Sequence, residues 1–117
     1  MLNDVKDYFR AELGLPDEMI GEFIDTFLLS FDNSAAELRA ILDAPEVDFL
    51  AVRRATHTIK GFAQTSGAAD LLEAALALNA SAHAADAAAC RDGAQAILDL
   101  HAHYRAEASA NGGALHG

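Results

Sequence analysis

The chain has 117 residues, enough for one domain with a real hydrophobic core and no disulfide or metal staple. Apolar types make up 52% and charged types 22%, a globular composition. The net charge of −10 would be repelled by a phosphate backbone, so nucleic-acid binding is not expected.

Every long segment reads as helix. The first is expected over about Asn3–Leu13, with Asn3 as N-cap and Gly14 as its stop. Pro16 then opens a long helix running to Ala44. Its apolar residues Ile20, Phe23, Ile24, Phe27, Phe31, Leu38, Ile41 and Leu42 recur with a period near 3.6 and form one stripe. Pro45 ends it. The third helix is expected from Val47 to Ser66, punctuated by Gly67, and the fourth over about Ala69–Ala84. Asp86 is a candidate N-cap for the fifth, which carries Cys90, Ala94, Ile97, Leu98 and Tyr104. No strand-like alternation, internal repeat or interdomain linker is visible. The expected fold is all-α, an antiparallel up-down four-helix bundle with a short additional N-terminal helix. Residues 1–108 form the expected bundle domain, and 109–117, "SANGGALHG", a flexible C-terminal tail.

The only cysteine, Cys90, cannot form an internal disulfide and reads as a small apolar residue, which suits a reduced, cytoplasmic compartment. "MLNDVKDYFRAELG" lacks a basic start followed by an apolar core, so no signal peptide is expected. No apolar run reaches the ~20 residues of a membrane span. The longest, "AALALNASAHAADAAA", is interrupted by Asn79, Ser81, His83 and Asp86.

The third helix is the chemically distinctive one. At about 100° per residue, one side carries Val52, Ala55, Ile59, Phe62, Ala63 and Ser66, a core face apart from the serine. The opposite side is centred on His57 and carries Leu50, Arg53, Arg54, Lys60, Gly61 and Gln64. Three of the eight Lys and Arg residues thus lie within eight positions around one histidine. Imidazole is a good nucleophile near pH 7. Lys60, at i+3, can compensate negative charge on a group attached to the ring. Gly61, at i+4, costs a helix about 1 kcal/mol relative to alanine. It also removes the side chain that would stand beside the imidazole, and so clears space for a macromolecule to approach.

The stretch "ATHTIKGFAQTSGAADL" resembles the signature of the histidine-containing phosphotransfer (HPt) domain family. That signature has His, Lys at +3, Gly at +4, Gly-Ala at +10 and +11, and an apolar residue at +14; here these are His57, Lys60, Gly61, Gly67, Ala68 and Leu71. The chain departs from the pattern at Ser66, where an apolar residue is usual. It departs again in the fourth helix, where Asn79, Ser81 and His83 interrupt a face usually richer in leucine. The resemblance implies a helical bundle acting in a multistep two-component phosphorelay. His57 would accept a phosphoryl group from a receiver-domain aspartate and return it to another. Lys60 would neutralise phosphoryl oxygens, and Gly61 would permit receiver docking. Gln64, on the same side, is expected to hydrogen-bond near the phosphate. Leu50, Arg53 and Arg54, with Tyr8 and Phe9 of the first helix, are the expected docking rim.

Phosphoryl transfer needs an in-line nucleophile and neutralisation of the equatorial oxygens. The chain shows no carboxylate cluster for Mg²⁺ and no glycine-rich nucleotide loop. No cofactor is therefore expected on the chain, Mg²⁺ is expected on the receiver, and neither ATP binding nor autokinase activity is expected. The implied partners are the receiver domain of a hybrid histidine kinase and that of a response regulator, engaged by a monomer. The alternative is a helical-bundle scaffold that binds receivers without phosphotransfer. A histidine kinase fragment fits poorly, because Thr58, Ile59 and Lys60 follow His57 where kinases carry an acidic residue and then a proline. His101 and His103, spaced i, i+2, point about 200° apart on a helix and cannot share an ion. These two, with His83 and His116, read as ordinary surface or helix-end residues. Asp17, Glu18, Glu22 and Asp25 read as a solvated face.

Overall fold

The computed structural model describes residues 1–110, which form five α-helices: α1 (Leu2–Ala11), α2 (Asp17–Asp43), α3 (Phe49–Thr65), α4 (Ala69–His83) and α5 (Ala87–Ala110). No strand occurs among the described residues. α2 packs on α3, α3 on α4, α4 on α5 and α5 back on α2, which closes the up-down four-helix bundle. α1 lies across α2 and α5. α5 runs two residues past the expected domain end, and residues 111–117 of the expected tail lie outside the described residues.

The helix ends follow local chemistry. Asn3 is not the N-cap of α1; Met1 holds that position without a side-chain cap bond. The reason is packing: Leu2 and Val5 must both reach the core, which starts the helix two residues earlier than a cap at Asn3 would. Pro16 caps α2, with Asp17 and Glu18 in its first turn where the helix dipole favours negative charge. Asp17 also accepts a 3.1 Å hydrogen bond from Arg10 Nε, tying α1 to α2. At the other end Ala44 is extended, as expected for a residue preceding proline. The exposed carbonyls there are met from a distant helix. Arg91 of α5 donates to the carbonyls of Leu42, Ala44 and Pro45 at 3.1, 3.3 and 3.3 Å. Asp48 caps α3 by accepting from the Ala51 amide, and Asp86 caps α5 by accepting from the Ala89 amide.

α3 ends in a tight reversal. The Ala68 amide donates to the Ala63 carbonyl and the Gly67 amide to that of Gln64, with Gly67 at φ 66°. This is the paired-bond C-terminal motif that calls for glycine. A Cβ on Gly67 would also collide with the Tyr8 ring of α1.

The core is one cluster. α2 buries Ile20, Ile24, Phe27, Leu28, Phe31, Ala35 and Leu38. Phe23, expected in the same stripe, is 36% exposed and makes an edge contact with Phe9 at 5.5 Å instead. Ile41 and Leu42 are only partly buried. Phe27 and Phe31 stack at tilted or edge geometry against Phe62 of α3 and Tyr104 of α5, centroids 5.3–5.9 Å apart. Such pairs add about 0.5–1.5 kcal/mol each beyond area burial. Cys90 is buried in this core, as its sequence context suggests, and burial pushes its thiol pKa up.

His101 is corrected by the structure. It is 9% exposed, not a surface residue, and its Nε2 lies 2.7 Å from Asp32 Oδ1. Arg105 binds both oxygens of the same carboxylate, its Nε at 2.9 Å from Oδ1. The ring also meets Phe31 edge-on at 4.9 Å. A buried imidazole is tolerated here because a carboxylate from α2, 69 positions away in sequence, supplies its partner. Arg105 holds the Asp32 carboxyl below its usual range, against an opposing push from burial and with help from His101. Tyr104, fully buried, donates to Asp70 Oδ1 at 2.8 Å; burial above all, then that bond, raises its phenol pKa. His103 and His83 are exposed, and His116 lies outside the described residues.

Candidate functional site

Helix α3 turns Val52, Ala55, Thr56, Ile59 and Ala63 into the core. That leaves His57 on the opposite, exposed side. Thr56 was not among the expected core residues. It is tolerated because its hydroxyl lies 2.9 Å from the Arg53 carbonyl and 3.2 Å from Asn79 Oδ1. The Thr56–Asn79 contact also sets the α3–α4 register: α4 runs antiparallel, with Asn79 level with Thr56 and His57.

The two helices enclose a groove of about 550 Å³ beside His57. α3 contributes Leu50, Arg53, Arg54, His57 and Lys60; α4 contributes Ala75, Asn79 and His83. Leu50 is 52% exposed at one rim. No carboxylate lines the groove. Among the described residues, no ion pair engages Arg53, Arg54 or Lys60. Three uncompensated cations on a chain of net charge −10 make the groove a local attractor for anions.

Gly61 and Gln64 continue along the exposed side of α3, outside the groove lining. A Cβ built on Gly61 meets nothing within 4 Å, so the space beside this part of the helix is open. The first-helix residues lie elsewhere. Tyr8 packs over Gly67 at the α3–α4 turn. Phe9 is a core residue, 3% exposed, so its ring is no surface rim around His57. It lines a second, more apolar groove of about 360 Å³ with Leu13, Phe23, Phe27 and Phe62.

Sequence reasoning missed the α4 wall of the His57 groove. The signal was present: Ala75, Asn79 and His83 form an i, i+4, i+8 row and so share one helix face. Only the register against α3 reveals what that face meets. Among the described residues no group of three or more His, Cys, Asp or Glu side chains is placed to hold a metal ion. No described helix is long and apolar enough to cross a membrane.

An exposed imidazole among unpaired cations, facing open space, is suited to carry an anionic group and exchange it with another macromolecule. Comparison with known families agrees with that geometry. The family model of the Hpt domain matches residues 22–107, from within α2 to within α5 and across the whole groove. Searches of curated proteins and of solved structures give no match. Hpt domains have a phosphotransfer-type role in two-component signalling and interact with receiver domains. With well over half of its length matched, the chain belongs to the Hpt domain family.

Proposed function

We propose that this protein is a histidine phosphotransfer carrier of a multistep phosphorelay, shuttling a phosphoryl group between receiver-domain aspartates through His57. The observation that carries this reading is the exposed His57 in a groove lined by Arg53, Arg54 and Lys60 and by no carboxylate. A ring nitrogen of His57 attacks the phosphorus of an aspartyl phosphate in line. The P–O bond to the aspartate breaks, the carboxylate leaves with the electron pair, and the ring sheds the proton from its other nitrogen. Transfer to a second receiver runs the same step backwards.

Lys60 neutralises the phosphoryl oxygens, and Gln64 hydrogen-bonds near them. Open space at Gly61 lets the receiver surface reach the ring. In this reading Mg²⁺ and the acidic residues that hold it belong to the receiver. The carrier is then half of a composite site, inert without its partner and independent of ATP.

The test uses a phosphorylated receiver as donor, intact-mass detection, and parent and His57→Gln chains. The parent should acquire one phosphoryl group. His57→Gln should acquire none while keeping its helical circular dichroism. Label retained in His57→Gln, or mapped to His83, His101 or His103, refutes the assignment. Receiver binding without any label on the parent would identify a scaffold instead.

A further inference from the structure

The α4 wall of the groove contributes a second imidazole. His83, the last residue of α4, lines the same groove as His57 and is exposed. The helix register places it one turn past Asn79, opposite the turn of α3 that carries Arg53 and Arg54. Side chains on a helix lean toward its N-terminus. On antiparallel neighbours those leans converge: His57 leans toward the Arg53 turn, and His83 leans back toward the level of Asn79 and His57.

We propose that His83 is a further anion-binding group of this site, donating a hydrogen bond to an oxygen of the phosphoryl group when His57 carries one. The inference rests on His57 being the phosphoacceptor. The groups facing His83 across the groove are Arg53, Arg54, His57 and Lys60, with Asn79 on its own helix. All four are cationic or neutral, so an anion is the ligand that this set lacks. Thr56 already engages Asn79. His83 has no hydrogen bond or ion pair among the described residues, which leaves its ring free to donate.

The consequence is chemical lifetime. Hydrolysis of the phosphorylated ring breaks the P–N bond and forms a P–O bond to water. The electron pair returns to the ring nitrogen, which takes up a proton. Water must enter in line with the departing imidazole. A donor on α4 that holds a phosphoryl oxygen pins the group between the two helices and keeps its far side from turning toward solvent.

The experiment loads the full chain from phosphoramidate, a small donor that needs no docking surface. Its P–N bond breaks, ammonia leaves, and a P–N bond to His57 forms. The label is mapped by peptide mass, and its decay is followed in the parent, His83→Ala, His83→Gln and His83→Glu. His83→Ala should decay about threefold faster or more, the effect of one lost hydrogen bond. His83→Gln, which keeps a donor, should recover most of the parent lifetime, and His83→Glu should decay fastest. Equal decay in all four chains, or glutamine no better than alanine, overturns the role of His83 and leaves that of His57 intact. Label mapping to His83 in place of His57, or no label on His57 in the parent, overturns both.

Discussion

Gly61 offers the sharpest separation between a folding defect and a functional clearing. It sits inside α3 on the exposed side, and a Cβ there meets nothing within 4 Å. A substitution therefore adds no packing and removes none. Only the backbone and helix-propensity terms remain, about 0.5–1 kcal/mol in favour of alanine or glutamine. For a chain of this size that raises the melting temperature by roughly 2–4 °C. Gly61→Gln should thus be at least as stable as the parent. The same side chain would stand where a receiver approaches His57, so transfer from a phosphorylated receiver should slow at least about tenfold, or ~1.4 kcal/mol. Loading from phosphoramidate, which needs no docking, should proceed at the parent rate. Thermal unfolding, receiver transfer and phosphoramidate loading on one preparation complete the assay. A stabilised Gly61→Gln chain that still takes its label from the receiver at the parent rate would refute the clearing and the composite site together.

Other substitutions probe the rest of the structure. Lys60→Ala should slow receiver transfer or shorten the phosphohistidine lifetime while the melting temperature barely moves, because a half-buried lysine outside the core and without an ion pair contributes little stability; unchanged kinetics would reduce Lys60 to a solubilising charge. Gly67→Ala should destabilise by about 2–4 kcal/mol, since it puts a Cβ at φ 66° and into the Tyr8 ring; a loss under about 0.5 kcal/mol in urea unfolding would contradict that packing. Asp32→Asn tests the carboxylate between His101 and Arg105. Its lowered native pKa stabilises the fold above the ordinary aspartate value of about 3.9, and that contribution disappears as pH falls through the native value. The variant should melt below the parent near pH 7, with the gap closing below about pH 4; a gap that widens in acid would reverse the sign of the argument.

Much of this architecture was legible because it is written locally. Pro16, Pro45, Gly67 and Asp86 mark helix boundaries through their own backbone or side-chain chemistry, and they do so here. The exposed face of α3 follows from its period alone. What escaped was long-range. His101 looks like a surface residue until Asp32 arrives from another helix, and Arg91 shows no sign of serving the carbonyls at the end of α2. Asn3 is a good cap by type, yet two core residues beside it decide where α1 starts. The α4 wall of the groove needed a register that no single helix carries.

The family match begins at residue 22, inside α2, and so leaves α1 outside it. Yet α1 contributes Leu2, Val5 and Phe9 to the same core as the four bundle helices. Burying three such side chains is worth roughly 5–9 kcal/mol, comparable with the entire stability of an ordinary domain. The recognisable region and the self-sufficient folding unit are therefore different objects. A chain trimmed to the recognisable region would keep His57, Lys60 and Gly61 but present a bare apolar end to water, and its tendency would be to aggregate.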